Sequence, residues 1–299
     1  MATKVLVLEG GGYFGLINTT FLTYLGDDYD VCLHIDSISG CSIGGIETCA
    51  LMSGLSRPLD MQKAFIKHGR KIFTKRAPMG YPLNIPWYSD EGLKNVLKEV
   101  VSMKTIGDTR TEYPDTSMFV PTLNMTKNKF KVYDNVDGTD DAVTLADVCL
   151  ETSAACFYFP TRNNNGDAVI DGGLREVCPV ITHATGLKKH CGVDFSDMDV
   201  FVLGAGQDIS RQVGDYYEVS SWGALDWMTK FITKDITGSN ESTSKFWGSQ
   251  MGFRSFEWFN PVKVYGAMDD VSQTEYILES CDMYKELFLD KWEQFMKGE

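Results

Sequence analysis

Two periods of apolar residues alternate along this chain. Residues 4–8 (KVLVL) read as a strand buried on both faces. Leu16, Ile17, Phe21, Leu22 and Leu25 then recur at helical spacing, and Gly26 is placed to end that helix. A second strand is predicted over 33–39, a helix from Ile43, and another helix over 59–73. Ser89 stands where it can cap the helix carrying Leu93, Val96 and Leu97. Further strands are predicted at 117–124, 129–133, 168–170 and 200–203, with a helix over 145–150. Near the end, Ile277, Cys281, Tyr284, Phe288, Trp292 and Phe295 form one helical stripe, the pattern of core contact. Strands alternating with helices imply an α/β protein: a mostly parallel central sheet covered on both faces, three layers deep as α/β/α.

Two joints between strand and helix are rich in glycine. The first, EGGGYFG (9–15), follows the first strand; the second, GCSIGG (40–45), follows the next. Gly40-Cys41-Ser42-Ile43-Gly44 fits G-x-S-x-G, a sharp turn that projects a serine hydroxyl from the end of a sheet. A Cβ at the flanking glycines would clash with the neighbouring strand and helix. The helix that follows aims its N-terminus, and the amide of Ile43, at developing negative charge. Gly10-Gly11-Gly12-Tyr13-Phe14-Gly15 also satisfies G-x-G-x-x-G, the dinucleotide fingerprint, with Asp36 near the end of the second strand to hold a ribose. A serine elbow in the very next turn has no place in that reading. An oxyanion hole accounts for both loops, since unhindered amides in the Gly10–Gly12 loop can approach an acyl oxygen, each contributing about 3 kcal/mol in the transition state.

A serine nucleophile needs a base. The chain has four histidines: His34 lies in the strand before the elbow, His68 in the basic helix, and His183 and His190 flank a helical stretch without a carboxylate at obvious orienting distance. Each is read as a surface or satisfied core histidine, with His183 and His190 kept as members of a rival His-containing triad. Asp171 ends the apolar strand AVI and precedes Gly172 and Gly173, another strand end that admits close backbone approach. It is the natural partner for Ser42.

Composition narrows the classes. The chain has 299 residues, 43% of them hydrophobic and 23% charged, as in a globular protein. No apolar run approaches the roughly 18 residues that cross a bilayer. The N-terminus reads as a first strand and not as an export signal. A net charge of −13 argues against a nucleic-acid partner. Charge is uneven, however: residues 57–76 carry seven Lys/Arg against one Asp, either a solvated helix face or a helix that faces lipid headgroups. The breaker-rich stretch that follows reads as a flap over 77–88. Aromatic residues over 222–259 read mainly as core. The eight cysteines form no CxxC pair and no zinc-like spacing with the histidines, so no metal or other cofactor is expected. Their apolar settings suit core positions in a reducing compartment.

Together, EGGGYFG, GCSIGG and the DGG at 171–173 resemble, in order, the motifs of the patatin-like phospholipases, lipid acyl hydrolases with a Ser–Asp dyad. TSAACFYFP (152–160) and VLGAG (202–206) are similar to further stretches of that family. The resemblance covers about residues 4–206 and implies one patatin-like domain over 1–299, with 207–299 a helical, aromatic extension packed on the core. It implies Ser42 as nucleophile, Asp171 as general base, and the Gly10–Gly12 loop with Ile43 as oxyanion donors; Gly15, Gly40, Gly44, Gly172 and Gly173 are its motif glycines. The implied partner is a lipid substrate, met in a cytoplasmic setting with transient membrane contact. Phe14 stands where the family usually carries Arg or Lys, Cys178 replaces an Asn, and Cys156 a Pro. An idle lipid- or partner-binding protein of the same fold stays open as an alternative.

Overall fold

The computed structural model describes residues 2–75, 86–101, 103–208, 215–226 and 240–298. Strand β1 (Thr3–Leu8) lies in the middle of an eight-stranded sheet. It pairs in parallel with β2 (Ser37–Gly40) on one side and β7 (Met198–Leu203) on the other. Beyond β7 lies the parallel strand Ser255–Phe259. Beyond β2 lies β3 (Ser117–Asn124), also parallel, which carries an antiparallel margin of β4 (Lys129–Asp134), β6 (Asp167–Asp171) and, beside β6, β5 (Arg162–Asn164).

The period of two along the central strands sorts their side chains into two cores. Leu6 and Leu8 of β1, with Phe201 and Leu203 of β7, face one side. There they meet helices α1 (Leu16–Thr23), α2 (Ile43–Met52), α3 (Pro58–Ile72), α4 (Glu91–Val100) and α6 (Leu145–Thr152); α5 (Ile106–Glu112) adds Ile106. Val5, Val7, Val200 and Val202 face the other side, against α7 (Val180–Cys191). Both faces are covered, which is why these strands are apolar at consecutive positions. The sequence expectation of a three-layer α/β architecture with a mostly parallel sheet therefore holds.

The second strand is shorter than expected. Residues 31–33 form a 3-10 turn, and pairing begins only at Ser37. Asp30 caps the turn by accepting from the Cys32 amide at 3.2 Å, while the Thr116 hydroxyl donates to the carbonyls of Cys32 and Ile35. Those carbonyls are thus taken before a ladder can use them. The expected cap of α4 is also displaced: Asp90 is the N-cap, and Ser89, one residue earlier, accepts from the Glu91 amide at 3.2 Å. The C-terminal stripe divides into two helices, Thr274–Met283 and Lys285–Lys297, that meet at Tyr284. Phe288, Trp292 and Phe295 pack on Phe201 as core residues. Residues 77–85 of the expected flap lie outside the described residues.

Candidate active site

Register in the sheet decides which strand ends meet. On β3, residues 117–119 pair with β2, whereas 122–124 pair with β6, and β4 occupies the opposite edge from 119 to 124. Strands β2 and β6 therefore share one edge of β3 and run toward each other along it. The C-terminal end of β2 leads into Cys41 and Ser42; the C-terminal end of β6 is Asp171. Between them Pro121 has no ladder partner on that edge, so its missing N–H leaves no gap in pairing. The Pro121 carbonyl is instead taken by the Thr152 hydroxyl at 2.8 Å, and that hydroxyl oxygen accepts from the Ser42 amide at 3.1 Å.

Ser42 sits at φ 55° and ψ −121°, in the positive-φ region that non-glycine residues rarely enter. The surrounding turn imposes it. A Cβ on Gly40 would land on the Gly44 carbonyl, and one on Gly44 on the Leu8 carbonyl, so the elbow closes only with glycine at both positions. Ser42 is half-buried at the head of α2, where the unpaired amides of the first turn concentrate partial positive charge.

Asp171 is 6% exposed. Its Oδ1 accepts from the Gly173 amide at 2.7 Å and from the Cys41 thiol at 3.6 Å. Loss of water pushes its carboxyl up to about 6, an effect partly offset by the Gly173 amide, the Ser42 side chain and the Cys41 thiol, which favour the ionised form. Ser42 thus shares a cleft with a carboxylate that changes charge near neutrality.

The glycine loop closes over the same place. Gly12 has φ +60°, and a Cβ there would lie 2.5 Å from the Met268 carbonyl, which accepts from the Tyr13 amide at 2.7 Å. Gly11 and Gly12 line the clefts that contain Ser42, as does Ile43. Among the described residues, nothing accepts from the amides of Gly11, Gly12 or Ile43. The expectation for Gly10 changes: its amide donates to the Val177 carbonyl at 2.9 Å and is not free for a substrate oxygen. Gly15 packs instead against Ile43, and Gly172 against the Pro121 carbonyl and the Cys41 sulfur.

Two clefts meet at Ser42. One is almost wholly apolar, walled by Ile46, Phe65, Phe73, Leu93, Tyr158 and Phe159. The other holds Asp171, Gly173, Cys156 and Leu174. Met268 borders both. Met268 and Thr152 were not singled out by sequence reasoning. Thr152 opens the TSAACFYFP stretch, but its hydrogen-bonding role depends on sheet register, and Met268 lies beyond the span of recognisable motifs. Phe14 is buried at 3% exposure within the apolar core, so no cation occupies its position.

The histidines lie elsewhere. His183 is fully buried, with Nε2 2.6 Å from the Ser37 hydroxyl and its ring 5.2 Å from that of Phe119. Burial drives its imidazolium down to about 3, leaving it neutral. His190 borders a surface groove with Lys131, Asp134 and Asp137; His68 bonds Glu99 at 3.0 Å; His34 stacks on Tyr29. None lines either cleft. Asp36 precedes β2 and accepts from the Lys4 amide at 2.6 Å, at the opposite end of the parallel pair from the glycine loop. Four residues of strand separate them, about 13 Å, so Asp36 cannot serve a dinucleotide bound at that loop. Among the described residues no group of three His, Cys, Asp or Glu is gathered as a metal would require.

Comparison with known proteins gives several similar chains. The chain is 28% identical over 264 residues to "Probable inactive patatin-3-Kuras 1" of Solanum tuberosum, spanning 75% of this chain and 68% of that protein. It is 31% identical over 182 residues to the "cGAMP-activated phospholipase" of Pseudomonas aeruginosa, covering 57% of this chain and 52% of the relative. VipD from Legionella pneumophila, a crystal structure, aligns with 93% of this chain and 67% of its own at a TM-score of 0.44 and 14% identity. The family model for patatin-like phospholipases matches residues 6–182, a span that holds the glycine loop, the serine elbow and the Asp-Gly-Gly turn. The chain belongs to the patatin-like phospholipase family.

Proposed function

We propose that this protein hydrolyses fatty-acyl esters of phospholipids or related lipids through a covalent acyl-enzyme on Ser42. Asp171 takes the Ser42 proton as the hydroxyl oxygen attacks the acyl carbonyl. The amides of Gly11, Gly12 and Ile43 donate to the oxyanion that forms, and the N-terminus of α2 adds its dipole. The acyl chain lies in the apolar cleft. Asp171 passes the serine proton to the departing alcohol oxygen as the ester bond breaks, and the alcohol leaves through the cleft beside Asp171. Water enters by that same side and gives a proton to the ionised Asp171 as it attacks the acyl carbonyl. Asp171 returns that proton to Ser42 as the acyl–serine bond breaks and the fatty acid is released. The protein meets its substrate by brief contact with a lipid surface; no helix among the described residues is long and apolar enough to cross a membrane.

One observation carries the reading: two strands run head-on along β3, and their ends put a strained serine, which lines an apolar cleft, in one adjoining cleft with a buried carboxylate. The test pairs Ser42→Ala and Asp171→Asn with a panel of lipid esters, reading released acids by mass. Each substitution is expected to lower kcat by about a thousandfold or more. Near-normal turnover of folded Asp171→Asn would refute the dyad. A fluorophosphonate that labels wild-type Ser42 excludes the idle reading, and an unlabelled serine would favour it.

A further inference from the structure

The rim of the apolar cleft carries two exposed aromatic rings. Trp87 is 37% exposed and Phe157 49%, their ring centroids 6.4 Å apart. Backbone bonds hold them side by side: the Trp87 amide donates to the Phe157 carbonyl at 2.7 Å, and the Tyr88 amide to the Tyr158 carbonyl at 2.8 Å. Phe157 has φ +70°, where a bulky side chain is strained, yet its ring gains little burial in return. From this pair a run of rings leads inward. Trp87 meets Tyr158 at 5.0 Å, Tyr88 meets Phe159 at 5.8 Å, and Phe159 meets Phe73 at 6.0 Å. Tyr158, Phe159 and Phe73 wall the cleft at Ser42.

Cations flank the same rim. Helix α3 turns Phe65 and Ile72 into the cleft and leaves Arg70 and Lys71 exposed at its end. Lys75 lies opposite Tyr88 in an antiparallel bridge, one residue from Trp87. Among the described residues none of these three cations is ion-paired. The local positive charge opposes the chain's net charge of −13, so a generic electrostatic surface does not account for it.

We propose that Trp87 and Phe157 are interfacial anchors that enter the headgroup region of an anionic bilayer, with Arg70, Lys71 and Lys75 against its phosphates, and so set the mouth of the Ser42 cleft on the membrane. Amphipathic rings favour that depth, and each nearby lysine adds attraction that salt weakens. The inference rests on reading the apolar cleft as a lipid acyl site.

The test uses Ser42→Ala protein, which leaves lipid intact, and vesicles of phosphatidylcholine with or without phosphatidylglycerol. Trp87→Ala or Phe157→Gly is expected to weaken co-sedimentation about tenfold each. Lys71→Gln with Lys75→Gln is expected to weaken it severalfold on the anionic vesicles alone, and less as salt rises. Phe157→Gly separates anchoring from folding, because glycine relieves the positive φ: the variant should melt no lower than its parent while losing vesicle affinity. In protein that keeps Ser42, turnover of a soluble short-chain ester should be unchanged by either ring substitution. Unaltered vesicle binding in both ring variants would overturn the proposal, as would a self-association of the parent that these rings support. Absence of ester turnover in wild type would sink the enzyme reading but leave the vesicle measurement standing, so the two failures are distinguishable.

Discussion

Ionised, Asp171 is held where the neutral acid is favoured, and this has consequences for both rate and stability. Its folded value of about 6 lies above the ordinary 3.8 of the unfolded chain. The neutral form is thus favoured by folding below pH 4, and that advantage is lost as pH rises through 6. At pH 8 the carboxylate costs about 3 kcal/mol, an order-of-magnitude figure from the shift. Asp171→Asn should therefore melt higher than wild type at pH 8, and the difference should shrink as pH falls through 6 toward 4; thermal melts across that range check it. Activity runs the opposite way, because the base must be ionised: log kcat/KM should fall with unit slope below about pH 6. Cys41 tunes that limb. Its buried thiol donates to the same Oδ1 that Gly173 holds, so Cys41→Ala should move the acidic limb upward by about half a pH unit. A Cys41→Ser variant, with a stronger donor, should bring it back. An unmoved limb in Cys41→Ala would show that the thiol only fills space.

At the scale of elements, the site depends on β2 and β6 ending against the same stretch of β3. Thr152 spans that junction, its hydroxyl donating to Pro121 and accepting from Ser42. Thr152→Val keeps the shape and removes both bonds. The Ser42 amide and the Pro121 carbonyl would lose their partners, at about 1–3 kcal/mol each if left unpaired. The expected result is a lower melting temperature and a kcat reduced at least tenfold with KM little changed, measured on a soluble ester. Such a junction explains what could be read beforehand. The elbow and the glycine loop are legible in sequence because their constraint is local: a Cβ at Gly40 or Gly44 collides with backbone a few residues away or on the adjacent strand end. Asp171 was a candidate because a carboxylate at a glycine-flanked strand end is also a local pattern. Thr152, Cys41 and Met268 act across the register of three strands or from a distant segment, which no periodicity encodes. Gly10 fails as a donor for the same reason, since its amide is taken by Val177, far along the chain. The strand expected at 33–39 was overextended because apolar content says nothing about carbonyls already claimed by Thr116.

At the scale of the whole molecule, the sheet is fastened at the end away from the glycine loop. Asp199, with no exposed side-chain surface, begins near the start of β7 and accepts from Arg254 at 2.9 and 2.8 Å, from Lys4 at 2.9 Å and from Ser255 at 2.8 Å. Lys4 also donates to the Phe295 carbonyl, and Arg254 to the Gly298 carbonyl at 3.2 Å. One carboxylate therefore joins the first strand, two later strands and the last helix, elements that are remote in sequence. Burial alone would push its carboxyl up, but the bonds from Arg254, Lys4 and Ser255 together outweigh it and hold it at about 2. The folded value lies below the unfolded 3.8, so the stability it contributes is present above pH 4 and is lost as pH falls through 2. Asp199→Asn leaves the Lys4 ammonium, only 14% exposed, without its counter-ion, and breaking such a buried pair costs about 3 kcal/mol. The variant should melt several degrees lower than wild type at pH 7, with the gap closing between pH 4 and 2. Because the network sits at the far end of β1 and β7 from Ser42, kcat on a soluble ester well below the melting temperature should stay within about twofold of wild type. A large loss of kcat without a loss of stability would mean that the two ends of the sheet are coupled, contrary to the picture of a rigid parallel core that carries its chemistry only where the strands end.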